Sequence, residues 1–333
     1  MAPVDVLLVS LGATVGLRSS DAELMAGMQR AGATVALVAA RRPRPVRTLA
    51  LTDLGWARAA REAALIGLTR HRPRAVVYST VTAALLWPRP GAVRLDALAR
   101  VNRLGRHGVW QRPVERRRLA TASLLIPTHA GVLTEAAVAA DGAVLVPIAV
   151  EPSRELGAAR RDLAAITYAA DPVKKGLARV LAAWGRARHP GEELVVAGLE
   201  PERVAGMLGG EPAGAGVRAV GHLEAEAYRA LLRRARAYVC APRREDYGLA
   251  QLEALADGCR LVTTPAPGAY AALDLARELD PRLVGDDLEG ALRMALDAAS
   301  GDYPKRALAL LEPFRRPAVD AVIKRDLLPR LLG

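Results

Sequence analysis

The stretch Ala235–Thr264 reads ARAYVC-APRREDY-GLAQLEALADG-CRLVTT, and its reading decides the fold. ARAYVC is a short apolar run ending at Cys240, as expected of a buried strand. APRREDY is a polar loop. The next piece opens at Gly248 and stops at Gly258, with Leu249, Leu252 and Leu255 at helical spacing. CRLVTT is a second strand. Strand, loop, helix and strand in thirty residues make a right-handed crossover within a parallel sheet. Ligands of such sheets sit beyond the carboxyl ends of the strands. The loop Arg243–Tyr247 lies there, beside a helix amino terminus that favours anions.

Two carboxylates mark this unit. Glu245 lies in the loop, and Glu253 lies eight positions later on a helix that Ala250, Ala254 and Ala256 make apolar nearly all round. A charge on a buried helix costs several kcal/mol unless it is paired. Glu253 is therefore expected to face a polar ligand or a cation; the alternative is a pair of solvated helix-end carboxylates.

These residues, Glu245-Asp246-Tyr247-Gly248-Leu249, then Glu253-Ala254, then Gly258, resemble the donor site of retaining, nucleotide-sugar-dependent glycosyltransferases of the GT-B fold, family four (glycosyl transferases group 1). The resemblance implies that Glu253 accepts hydrogen bonds from the ribose hydroxyls and that Glu245 lies beside the donor sugar. It implies that the amides of Tyr247, Gly248 and Leu249 hold the diphosphate. A second match stands at Asp171-Pro172-Val173-Lys174-Lys175-Gly176, which resembles the family's Lys-Gly motif. There the lysine neutralises the donor diphosphate, a role carried here to Lys175. With four lysines in the whole chain, an adjacent pair at a helix start stands out, because cations there oppose the helix dipole unless an anion lies between.

The chain also departs from the family pattern. Ala169-Ala170-Asp171 replaces the usual Gly-Arg before the lysine, so the second phosphate cation is missing or comes from Lys174, Arg243 or Arg244. Arg260 stands where a proline is usual, and Pro265–Tyr270 contains no Glu.

The 333 residues suffice for two domains, and 51% hydrophobic residues supply ample core. No apolar run is long enough to span a membrane. Val4–Val9 reads as a first strand, since Asp5 interrupts it and no basic segment precedes it. Cys240 and Cys259 lack metal-ligand spacing, which suits a reduced, cytosolic setting. The net charge of +12 favours an anionic partner. Nucleic acid is not expected, because 4% aromatic residues leave few stacking platforms. With forty-three arginines, part of the charge reflects an Arg- and Ala-rich composition.

Strands are expected at Val4–Ser10, Thr34–Ala39, Ala75–Tyr78, Ala92–Leu95, Leu124–Pro127 and Ala143–Val146. After the first, a loop over Leu11–Gly16 leads to a helix over Asp21–Arg30. The dinucleotide fingerprint Gly-x-Gly-x-x-Gly is absent. By the resemblance, Gly12 approaches the donor phosphate; an ordinary turn glycine is the alternative. Asp96 is the catalytic candidate of this half by the same resemblance, with a helix cap as the other reading. Arg94–Arg118 is densely basic, with few acids and with Trp110 at its middle. Trp110, Arg116 and His129 are the candidates for the acceptor or anionic-membrane side. A solvated arginine face and a structural histidine are the plainer alternatives.

Second-half strands are expected at Ala165–Ala169, Leu194–Ala197 and Val217–Val220. His222 and Leu223 follow the last of these as candidate base contacts. Helices are expected at Leu177–Trp184, Ala291–Ala299 and Val319–Leu332. The resemblance thus implies an α/β, GT-B-like fold of two Rossmann-like domains facing a cleft, with the last helix crossing back. The expected domains are residues 1–150 (acceptor), 151–163 (linker), 164–314 (nucleotide sugar) and 315–333 (returning helix). The implied reaction moves a sugar from UDP-, GDP- or another nucleoside diphosphate sugar to an acceptor hydroxyl, lipid-linked or on a glycan, with retention. No permanently bound cofactor and no metal is expected. A GT-B nucleotide-sugar epimerase and a non-catalytic glycosyltransferase-like partner are the alternatives.

Overall fold

A computed structural model of the protein describes residues 3–44, 46, 48–95, 97–103, 105–155, 160–210, 212–299 and 301–333. The chain divides into two compact units, one of residues up to Ala149 with Pro313–Gly333, the other Val150–Glu312.

The first unit holds a five-stranded parallel sheet: β1 (Val6–Ser10), β2 (Val35–Ala39), β3 (Ala75–Tyr78), β4 (Ala92–Leu95) and β5 (Leu125–Pro127), in the order β2-β1-β3-β4-β5. β1 is an interior strand and wholly buried, which is why Val6–Val9 read as an apolar run; edge strand β2 is partly exposed. The expected sixth strand at 143–146 is not a strand. Val144 and Val146 donate to the Leu125 and Pro127 carbonyls, both at 2.9 Å, and Ala143 forms a single bridge with Leu125. Pro127 has no N–H to return, so no ladder can propagate along that side.

The first helix starts earlier than its apolar spacing predicts. It runs over Val15–Arg30, capped by the Thr14 hydroxyl on the Leu17 amide at 3.2 Å. The β1 loop is therefore only Leu11–Thr14, and Gly16 lies in the helix. A 23-residue helix, Leu49–His71, goes unread in the sequence because its buried face is built of small residues. Ala57, Ala60, Ala64 and Gly67 lie on that face, and a side chain at Gly67 would meet the Leu7 methyls at 2.9 Å.

The C-terminal segment belongs to this unit. Val319, Ile323 and Leu327, four apart, pack into the core of Val6, Leu8, Met28 and Ile126. Arg30 donates twice to Asp320, at 2.6 and 2.8 Å. The helix Arg316–Val322 widens into a π turn over Ile323–Leu327 before Leu328–Leu332. Pro329 withholds the amide that the Arg325 carbonyl would otherwise accept, which accounts for the widening.

The second unit repeats the plan with β6 (Leu163–Tyr168), β7 (Leu194–Ala197), β8 (Val217–Ala219), β9 (Ala235–Cys240) and β10 (Arg260–Thr263), all parallel, ordered β10-β9-β6-β7-β8. Trp184 is fully buried, its indole N–H on the Gly216 carbonyl at 2.9 Å. Helices Pro201–Leu208, Ala225–Arg234 and Ala271–Leu279 join those read from the sequence. Both cysteines are free and buried. In each sheet the winding reverses once, between β1 and β3 in the first and between β6 and β9 in the second. Ligands of doubly wound sheets gather outside the carboxyl ends of the strands at such reversals.

Leu327→Ala is expected to lower stability by about 2–5 kcal/mol, because a fully buried side chain is lost from a packed core. Urea denaturation followed by circular dichroism measures it; a loss below about 1 kcal/mol would show that the segment does not close this core.

Candidate active site

The reversal in the second sheet places two loops side by side. The β6 loop carries Asp171–Gly176 and the β9 loop carries Arg243–Gly248. The Arg243 amide donates to the Lys174 carbonyl at 2.9 Å, joining them. Gly176 makes the close approach possible. Its φ is +66°, and a Cβ there would sit 1.8 Å from the Ala241 carbonyl oxygen. Gly248, with φ +89°, turns the β9 loop into the helix Leu249–Ala256 against the Tyr270 ring.

Side chains cross the same seam. Lys175 Nζ donates to Glu245 Oε2 at 2.5 Å. Glu245 is buried, and Gln251 Nε2 donates to the same oxygen at 3.1 Å. Behind them, the Tyr270 hydroxyl and Thr263 Oγ1 lie 2.8 Å apart and within reach of the Cys240 thiol. Lys174 Nζ and Arg244 Nε each donate to Asp246 at 2.9 Å. Burial would raise the Asp246 carboxyl, but Lys174 and Arg244 outweigh it and hold the group below its ordinary value. Burial would likewise lower the Lys174 ammonium; Asp246 reverses this and raises it. Four cations (Lys174, Lys175, Arg243, Arg244) thus stand against three carboxylates (Asp171, Glu245, Asp246), and Arg243 is exposed.

Glu253 lies about one turn into the Leu249–Ala256 helix. It is half-buried, and Arg229 Nη1 stands 4.0 Å from its carboxylate. Among the described residues no hydrogen bond reaches its side chain. Arg229 is committed elsewhere: its Nε donates to the buried Asp257 at 2.5 Å and its Nη2 to the Glu151 carbonyl at 2.7 Å. Burial pushes the Glu253 carboxyl up, Arg229 only partly opposes it, and Asp257 adds to the rise. Glu253 is therefore a carboxylate with unused accepting capacity.

The remaining candidates fall as follows. Tyr247 is buried, and Leu249 is the first helical residue. His222 is exposed, with Nδ1 3.2 Å from Glu200 Oε1, and Leu223 beside it is exposed too. These lie beyond β8, two strands away from β6. In the first unit, Gly12 sits in the β1 loop with φ +59°; its amide donates to Ser10 Oγ at 3.0 Å. Asp96 lies outside the described residues. His129 caps a helix, Nδ1 accepting from the Gly131 amide at 3.2 Å.

The basic stretch is not a bare row of charges. Trp110 is tied down, its indole N–H on the Ala50 carbonyl at 3.1 Å, and Arg116 is exposed. Arg94 is buried 3.5 Å from Asp21, Arg103 grips Asp53 at 2.6 and 3.0 Å, and Arg118 lies over the Trp87 ring. Two of these arginines find acidic partners that the local sequence does not show, because Asp21 and Asp53 come from remote parts of the chain. Sequence reading also missed Gln251, although the signal was the one that exposed Glu253: a polar residue on an apolar helix. Among the described residues no cluster of three or more His, Cys, Asp or Glu could hold a metal ion, and no helix is long and apolar enough to cross a membrane.

Residues 153–274 match the family glycosyl transferases group 1, a range that holds Lys174, Lys175, Glu245, Gln251 and Glu253. The match lies wholly within the second unit. The whole chain has the GT-B fold of glycosyltransferases, two parallel-sheet Rossmann-like halves. Sucrose-phosphate synthase from Thermosynechococcus elongatus is similar at TM-score 0.70 and 16% identity, over 99% of each chain. Anabaena HepE, solved in complex with UDP and glucose, is similar at TM-score 0.70 and 13% identity, over 97% of this chain and 99% of that one. WaaG, a glycosyltransferase involved in lipopolysaccharide biosynthesis, is similar at TM-score 0.67 and 13% identity over the full length of both. No curated protein sequence matches the chain.

The depressed Asp246 carboxyl stabilises the fold above the unfolded carboxylate value of about 3.9, and this stabilisation is lost as pH falls through the folded value. Asp246→Asn is expected to be less stable at neutral pH and to have a shallower acid limb, read from urea midpoints against pH. An acid limb identical to wild type would contradict the pairing.

Proposed function

We propose that the protein transfers a sugar from a nucleoside diphosphate sugar to an acceptor hydroxyl with retention at the anomeric carbon. The observation that carries this reading is the placement of Lys175, Glu245 and Glu253 at one strand reversal, inside the region that matches the glycosyl transferases group 1 family. Lys175, with Arg243 as second cation in place of the absent arginine, neutralises the diphosphate. The amino end of the Leu249–Ala256 helix adds partial positive charge. Glu253 accepts from the ribose hydroxyls, and Glu245 positions the sugar. His222 and Leu223 lie against the base. The presence of UDP and glucose in the similar HepE structure makes UDP-sugars the first donors to try.

In the proposed step the bond from C1 to the β-phosphate oxygen breaks while a bond from the acceptor oxygen to C1 forms on the same face. The acceptor's proton passes to the departing phosphate oxygen, giving nucleoside diphosphate and glycoside. The protein's part is to stabilise charge building on that leaving group. In the first unit, Gly12 is proposed to approach the donor phosphate and Asp96 to act catalytically, with Trp110, Arg116 and His129 on the side of the acceptor or an anionic membrane. The setting is proposed to be cytosolic.

The test is calorimetric titration of UDP, GDP, ADP and TDP, followed by NMR of the anomeric proton of the product. One nucleotide is expected to bind selectively, and the product to keep the donor's anomeric configuration. Glu253→Gln should weaken that nucleotide about tenfold without unfolding the protein, as for a lost charge-assisted hydrogen bond. Because the Glu253 carboxyl is raised, wild-type affinity should fall in mild acid, at higher pH than an ordinary glutamate would give, and the variant should lose that dependence. Unchanged affinity in the variant would remove Glu253 from the site. Binding without turnover of any acceptor would favour the non-catalytic alternative, which the missing Gly-Arg pair before Lys175 supports.

A further inference from the structure

The first unit has a cavity of about 130 Å³ at its own strand reversal, between the loops that follow β1 and β3. Leu11, Leu17, Val81, Leu85 and Leu98 form its apolar wall. Asp53, Arg103, Gln111 and Glu115 form its polar side, drawn from segments up to 62 positions apart in the chain. Gln111 is fully buried. Its Nε2 donates to Asp53 Oδ2 at 3.2 Å, which fixes the amide orientation, and its Oε1 has no hydrogen-bond partner. A buried acceptor left unpaired costs roughly 1–3 kcal/mol, so a donor brought by a ligand is favoured there.

The charges lining the cavity select the ligand. Arg103 spends its fork on Asp53. Glu115 is 3% exposed and accepts the Ala99 and Arg100 amides at 2.6 and 3.1 Å, with no cation of its own among the lining residues. In a chain of net charge +12, this cavity is formally negative. An anion entering it would meet the buried Glu115 carboxylate, whose charge the nearby Arg100 offsets only in part.

We infer that this cavity binds a small neutral or cationic ring that carries hydroxyl or amino donors, one of which pairs with Gln111 Oε1, and that it excludes phosphorylated or carboxylated analogues. The ring packs its apolar face on Leu11, Leu17 and Leu98. As the acceptor's binding site this rests on the transfer proposed above; the binding itself does not.

The test runs without any nucleotide, so it stands or falls apart from the donor site. Saturation-transfer NMR titrations with myo-inositol, glucosamine and glucose 6-phosphate are made on the full chain, on Gln111→Leu and on Leu17→Phe, which narrows the wall. Inositol or glucosamine is expected to bind and glucose 6-phosphate to bind at least fivefold more weakly. Preference for glucosamine over inositol identifies the donor as an amine, and the reverse as a hydroxyl. Gln111→Leu should weaken the favoured probe about fivefold, the effect of one hydrogen bond, and Leu17→Phe should weaken it without disturbing Gln111. Binding of glucose 6-phosphate as tight as the neutral probes, no binding of either uncharged or amino ring, or unchanged affinity in both variants would overturn the inference.

Discussion

The ion pair between Lys175 and Glu245 joins the two halves of the second unit's reversal, and the remaining site geometry follows from it. β6 and β9 are neighbours in the sheet although some seventy residues separate their loops. A buried ion pair is stable only when its remaining hydrogen-bonding capacity is met. Gln251 helps to meet it from the Leu249–Ala256 helix, and the Arg243 amide ties the loops together at the backbone. The close backbone contact at Gly176 leaves no room for a side chain that would separate the partners. The result is a cation-rich seam whose most buried carboxylate is already paired.

Glu253 differs from Glu245 in this respect. Both carboxylates belong to one short segment, yet one is held by an ammonium and an amide, and the other only faces a guanidinium at 4.0 Å. Arg229 cannot come closer to Glu253 without giving up Asp257 and the Glu151 carbonyl. Burial without full compensation raises the Glu253 carboxyl and leaves oxygen lone pairs for a ligand. Environment rather than residue type separates a fully paired carboxylate from one with accepting capacity to spare.

Much of this was legible in the sequence where burial is complete. β1, β6 and β9 read as mostly apolar runs because both faces of a parallel sheet are covered, and Lys175, Glu245 and Glu253 stand out as charges beside such runs. Other features were hidden for physical reasons. The Leu49–His71 helix packs through alanine and glycine, which give little hydrophobic contrast. The segment at 143–146 has strand composition but meets Pro127, which cannot return a hydrogen bond. The Arg94–Arg118 stretch looked uncompensated because its partners Asp21 and Asp53 lie far away in the chain. For the same reason the cavity around Gln111 leaves no local sequence signature.

Both units therefore place polar side chains at the one point where strand order reverses, and they do so with opposite charge: a cation-rich seam in the second, a carboxylate-lined cavity in the first. The central claim concerns the seam, and calorimetric titration of a nucleoside, its monophosphate and its diphosphate into wild type and Lys175→Met tests it most directly. The account predicts that wild type prefers the diphosphate by about tenfold or more, that added salt erodes the preference, and that Lys175→Met removes it. Equal affinity for all three in wild type, or a preference that survives in Lys175→Met, would contradict it.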